Sequence, residues 1–234
     1  MAVQSNILPA AGPAIPRVRT VWSAAFIVAH RRYFLWAQVI PAFLFLEFAL
    51  WAPTTNTRNR WAVISLITIL TMVLIDRPSL QRLGLRLPKT FGASVVLGVS
   101  FVAILLMVVL VNLVGGQIPA NQTWPVVRTV WGYVIWALMQ EFILQSFFFT
   151  RFEELYGGSA AVWIAATLFA FAHLPSPVLT TATLIGALFF CEMYRRYRSI
   201  YFLGIVHAML GLTIAIVTPN SVLHHMKVGV GYLQ

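Results

Sequence analysis

The sequence predicts an all-α fold, a polytopic bundle of transmembrane helices with about seven spans, and three observations carry that prediction. Of the 234 residues, 60% are apolar and 9% are charged, whereas a soluble domain is about half apolar and about a quarter charged. The mean hydropathy is +0.84. The apolar residues also fall into runs of the length that crosses a bilayer, about 20 residues for a helix rising about 1.5 Å per residue. Folded in water, a chain of this size would leave much apolar surface uncovered, so lipid is the expected solvent.

The N-terminal residues 1–20 hold Pro9, Pro13 and Pro16 and no apolar core ahead of a cleavage site. They read as a disordered cytoplasmic tail, not a signal peptide. Spans are expected near 33–52, 60–76, 91–115, 128–150, 159–174, 177–195 and 199–217. The segment 21–30 is too short to cross alone; it extends the first helix or lies in the interface. The fifth span ends at His173, because Pro175 and Pro177 follow and the residue before a proline is pushed out of the helical region. Residues 218–234 read as a C-terminal tail. No repeat of fixed period interrupts what reads as a single membrane domain.

The net charge of +10 does not form a basic stripe with aromatic platforms, as binding to nucleic acid would need. Nucleic-acid partners are therefore excluded, and the basic residues read as topology determinants facing lipid headgroups. Twelve of the 16 Lys and Arg fall in the tail and in the connections on its side of the membrane: Arg17, Arg19, Arg31, Arg32, Arg77, Arg82, Arg86, Lys89, Arg151, Arg195, Arg196 and Arg198. Arg58, Arg60, Arg128 and Lys227 fall on the other. This bias puts the N-terminus in the cytoplasm, and a bacterial cell membrane is the expected location. Cys191 is the only cysteine, so no intramolecular disulfide can form.

An ionisable group at mid-bilayer costs at least ~2.5–3.5 kcal/mol, which makes each one a functional candidate. Glu47, Glu141, His173 and His207 qualify. Glu192 sits one turn from Arg195 and Arg196 and reads as an interfacial ion pair. Asp76 and Arg77 close the second span and read as topological, and Glu47, near Pro53, as a snorkelling or protonated side chain. Glu141 lies between Arg128 and Arg151, about 15 Å from the cytoplasmic end, at the bilayer centre. Gln140 precedes it, and Gln145 follows one turn later on the same face. A carboxyl with polar neighbours and a wet cavity suits a general base; the alternative is an interhelical hydrogen bond. His207 lies about 12 Å into its span, matching Glu141, and His173 about 21 Å along its own. Three such groups on separate spans point to a shared site.

At these residues the sequence resembles the CAAX-processing and bacteriocin-processing intramembrane proteases, the Abi family. The first motif of that family is Glu-Glu-x-x-x-Arg; here it reads Gln140-Glu141-Phe-Ile-Leu-Gln145. The second is Phe169-Ala-Phe-Ala-His173, followed by Leu-Pro, and the third is His207-Ala-Met-Leu-Gly211, where the family has asparagine in the last place. The stretch LGLRLPKT at 83–90 is similar to the linker such proteins carry before their core. The resemblance covers roughly residues 83–217 and leaves 21–82 as N-terminal transmembrane helices.

This resemblance implies an intramembrane endopeptidase of the CAAX prenyl protease type, acting on a peptide or lipidated-protein substrate among membrane lipids. It implies Glu141 as the base that activates water, His173 as its partner and His207 as a stabiliser of the oxyanion. Gln140, Gln145, Phe169 and Gly211 would border the site. No cofactor is expected. A zinc site built from Glu141, His173 and His207 remains an open alternative, since two histidines and a glutamate form a catalytic ligand set, although there is no HExxH. Two other readings stand beside the protease. The Gln140, Gln145 and Gly211 departures suit an inactive relative that binds or matures a membrane partner. A transporter using Glu141 as a proton relay would need inverted repeats with broken helices, which the sequence lacks.

Overall fold

The computed structural model describes residues 24–87, 90–113 and 127–234. The expected tail at 1–20, with Arg17 and Arg19, lies outside the described residues, as does Lys89. The first helix, α1, runs Ala24–Trp51, so the short segment near 21–30 extends it rather than standing apart. Helix α2 is Thr55–Asp76 and α3 is Thr90–Leu113; α4, Val127–Glu141, continues through a π-helix, Phe142–Phe149, into α5, Thr150–Tyr156. Then come α6, Gly158–Phe171, α7, Pro177–Tyr197, and α8, Tyr201–Val217. Among the described residues there are no strands, only a single antiparallel bridge between Leu85 and Ser199.

Local chemistry sets several helix ends. Thr54 caps α2 by accepting the Thr57 amide at 3.2 Å, and Ser176 caps α7 by accepting the Leu179 amide at 3.4 Å, each satisfying a donor the first turn leaves free. Pro177 follows as the first residue of α7, where its missing N–H costs nothing. At the far ends, Arg77 and Arg198 adopt left-handed conformations that close α2 and α7, as a helix C-terminus often requires.

Each of the seven expected spans falls on a helix of the described residues, but their count changes. Five are long and apolar enough to cross a membrane: His30–Trp51, Thr55–Asp76, Gly92–Leu113, Val130–Tyr156 and Pro177–Tyr197. A sixth is added if α8 is joined to Asn220–Met226, from which it is bent by 118°. The fifth expected span is α6, with 14 residues, about 21 Å at 1.5 Å per residue and shorter than the ~30 Å hydrocarbon core. Its end is set by the Leu-Pro-Ser-Pro turn that carries His173. The protein is an all-α polytopic membrane bundle of five to six candidate spans.

The core sits where the π-helix meets its neighbours. Phe147, Phe148, Phe149 and Phe152 are buried with Leu35, Val39 and Ala42 of α1 and Ile69 of α2. Helices α6 and α7 meet through small residues, Ala161, Ala165, Ala166 and Ala187, all fully buried; in lipid, such residues let helix backbones approach closely. The connection before α3 is stitched to this core. Ser146 Oγ donates to the Leu83 carbonyl at 2.6 Å, Tyr194 Oη to that of Arg82 at 2.6 Å, and the Ile200 amide to that of Gly84 at 3.0 Å. The segment 218–234, expected as a tail, turns back over the bundle. Its Gly229 amide donates to the Leu174 carbonyl at 2.7 Å.

A buried charge cluster lies at the opposite end. Asp76 accepts from Arg31 and Arg151, each at 3.0 Å, and from Gln38 at 3.3 Å, while Arg151 Nε donates to Gln38 Oε1 at 2.6 Å. Asp76 therefore ties α1, α2 and α5 together and is not merely topological. Glu153 and Glu154 stand on α5; Glu154 accepts from Arg31 and Arg82, and Glu153 from Arg198. Glu192 pairs with Arg195 at 2.8 Å and Arg196 at 2.5 Å, as its spacing predicts.

Candidate active site

Glu141 stands at the last turn of α4, where the helix widens. The amide of Thr150 reaches the carbonyl of Gln145, five residues back, the bond that defines a π turn. Such expansions within α-helices are frequent at functional sites. Glu141 and Gln145 are both 0% exposed. Gln145 Nε2 donates to Glu141 Oε2 at 3.1 Å, and His207 Nδ1 lies 2.9 Å from Glu141 Oε1. Where the carboxyl is ionised it only accepts, and His207 Nδ1 is then the donor. Both carboxylate oxygens are then held by donors, one on the same rod and one on α8.

The resemblance implies His173 as the partner of Glu141; in the structure the imidazole within hydrogen-bond distance of the carboxylate is that of His207, reached because α4 and α8 pack closely. At Gly204 a Cβ would come within 2.7 Å of Leu138 Cγ, so a side chain there would push the helices apart. The His207 ring is held from two sides. Phe190 of α7 stacks on it at 5.4 Å between ring centroids with 20° between planes, and Phe169 of α6 meets it edge-on at 5.9 Å.

Phe169 also lies 4.7 Å from the ring of His173, so its side chain spans both histidines. His173 Nδ1 donates to the Phe169 carbonyl at 2.7 Å, which fixes the tautomer and leaves Nε2 as an acceptor. His173 is half-buried, as is Gln140. Gly211 lies one turn past His207, against Tyr133 of α4. Glu47 remains apart from the site, on α1, accepting from Trp51 Nε1 at 3.0 Å. The roles of Phe190 and Tyr133 were missed in the sequence, since an aromatic residue in an apolar span carries no signal of its own.

Among the described residues no three His, Cys, Asp or Glu side chains are grouped as a metal ion would require. Gln145 Oε1 is buried without a hydrogen-bond partner. An acceptor left open beside a carboxylate marks a place where a water can be satisfied.

The fold and the site together define a class: a polytopic α-helical membrane protein with a buried carboxylate on one helix, a histidine on another within hydrogen-bond distance of it, and a second histidine in the turn after α6. Within that class, residues 122–213 match the family described as Type II CAAX prenyl endopeptidase Rce1-like. The matched segment runs from the approach to α4 into α8 and contains all three motifs, in keeping with the CAAX-processing and bacteriocin-processing family they resemble. No curated protein and no solved structure is significantly similar to the chain.

Proposed function

We propose that the protein is an intramembrane endopeptidase of the CAAX prenyl protease type in which Glu141 activates water. The observation that carries this reading is the contact between Glu141 Oε1 and His207 Nδ1, 2.9 Å across two helices and fully buried on the carboxylate side. An acid and a histidine held in hydrogen-bond reach are the elements a general base needs. A water accepted by Glu141 and donating to the open Gln145 Oε1 gives up a proton to the carboxylate. The resulting hydroxide adds to the scissile carbonyl carbon, the C–N bond breaks, and the proton passes to the leaving amine nitrogen. His207 keeps the carboxylate oriented, and His173 Nε2 is a second acceptor for a water proton.

Purified protein in detergent, given farnesylated peptides ending in a CAAX sequence, tests this reading. Release of a C-terminal fragment detected by mass spectrometry, lost in His207→Ala and unchanged by a chelator, is the expected result. No fragment from any such peptide would count against it. The rival, an inactive family member that binds a membrane partner, draws support from Gln140 in place of the first glutamate of the motif. It predicts a co-purifying membrane partner and no hydrolysis.

A further inference from the structure

The protease reading, on which this inference rests, needs His173 held in place, yet α6 ends at Phe171, two residues before it. His173 stands in the turn that follows, where Leu174 is 40% exposed. The bonds within this turn are short-range: the amides of His173, Leu174 and Ser176 donate to the carbonyls of Ala170, Phe171 and His173. Such bonds shape the turn without fixing it against the other helices, and exposed turns open at little cost. A backbone bond from far along the chain reaches it as well. The Gly229 amide donates to the Leu174 carbonyl at 2.7 Å.

We infer that Gly229 is a positioning residue for His173, the point where the segment after α8 clasps that turn. Past the 118° bend, the helix Asn220–Leu223 buries Leu223. The chain then reverses through His224, His225 and Met226, with φ of 49°, 54° and 58°. Left-handed conformations are costly for residues with a Cβ, and they persist only where the surrounding structure holds them. Two contacts hold this reversal. The Tyr232 ring lies 4.2 Å from that of His224, which closes the segment on itself, and Gly229 docks on the last turn of α1. Gly229 is buried, with φ 58°. A Cβ there would overlap the Leu50 carbonyl oxygen and come within 2.7 Å of its carbon, and a backbone neighbour cannot rotate aside. Lacking a side chain, Gly229 fits against α1 and directs its amide at Leu174, so that one residue joins the end of α1 to the turn carrying His173. The imidazole has its own anchor, with Nδ1 2.7 Å from the Phe169 carbonyl oxygen. The backbone anchor at Leu174 and the side-chain anchor at Phe169 together set where Nε2 of His173 lies.

The test compares wild type, Gly229→Ala, Gly231→Ala, His173→Ala and the Gly229→Ala/His173→Ala pair on a farnesylated CAAX peptide, each below its unfolding midpoint. Amide hydrogen exchange of residues 172–176 is recorded alongside. Gly231 lies on the same segment, where a Cβ would meet Lys227 Cβ at an ordinary 3.8 Å, so its variant is the control. Misplacing a catalytic group by about 1 Å lowers the rate about 10²-fold. The expected result is a fall of that order in kcat for Gly229→Ala, with KM unchanged, faster exchange at 172–176, and Gly231→Ala like wild type. Added to His173→Ala, Gly229→Ala lowers kcat no further, because it acts through that histidine. Wild-type kcat in Gly229→Ala or in His173→Ala overturns the inference and leaves the protease reading standing. So does a double variant in which the two falls multiply, which makes Gly229 a structural residue only. Unchanged exchange at 172–176 in Gly229→Ala overturns the clasp, whatever the activity. A wild type that cleaves no such peptide overturns the protease reading and the role of Gly229 with it.

Discussion

Replacing Asp76 with alanine removes the acid at the centre of the cluster that joins α1, α2 and α5. Its two carboxylate oxygens accept from Arg31, Gln38 and Arg151. The side chain of Arg151 is 5% exposed, and it holds its guanidinium 3.8 Å from the centre of the Phe147 ring. Without Asp76, Arg151 keeps the carbonyls of Gln38 and Phe147 as acceptors but loses its compensating charge. Removing one partner of a buried pair costs about 3–5 kcal/mol, because the other charge is left uncompensated. Glu154 offers an internal control. Its partners Arg31 and Arg82 are 33% and 44% exposed, and exposed pairs contribute about 0–1 kcal/mol. Thermal unfolding in one detergent, followed for wild type, Asp76→Ala and Glu154→Ala, checks the difference. Asp76→Ala should unfold at a markedly lower temperature and Glu154→Ala close to wild type. Equal midpoints for the two variants would refute the view that burial of Arg151 gives Asp76 its weight.

Other outcomes follow from the helix contacts around the site. Gly204→Val forces side-chain atoms into Leu138; overpacking of this kind costs about 1–3 kcal/mol, and both unfolding temperature and hydrolysis should fall. Gln145→Ala removes the donor to Glu141 Oε2 and leaves a buried acceptor open, a loss of about 1–3 kcal/mol, and hydrolysis should fall with water positioning. Both variants are read by unfolding midpoint and peptide cleavage on the same preparation.

How far the sequence disclosed this molecule depends on the range of the interaction. Glu141 stood out because a carboxyl amid Phe142, Ile143 and Leu144 is costly in lipid, a local fact. The ion pair of Glu192 was legible for the same reason, its partners being three and four residues away. The cluster around Asp76 was not, because Arg151 lies 75 residues further along and only the packing of α5 on α1 and α2 brings it near. Helix length misled at α6 and α8, whose hydrophobic runs match a span in composition but are cut by the turns at Pro175 and Pro219. The π-helix has no composition of its own; it depends on how Phe147, Phe148 and Phe149 fit among α1, α6 and α7. The histidines were found as a set, yet which of them meets Glu141 was decided by the close approach of α4 and α8 at Gly204 and Gly211.

The account turns on whether Glu141 takes a proton from water. Hydrolysis of a farnesylated CAAX peptide by Glu141→Gln, compared with wild type at matched unfolding temperature, addresses that directly. The amide keeps the size of the side chain and its contact with Gln145 but cannot act as a base. Loss of a positioned general base lowers the rate by about 10²–10⁴-fold, and a fall of that size is the predicted result. A Glu141→Gln protein that cleaves at the wild-type rate would contradict it.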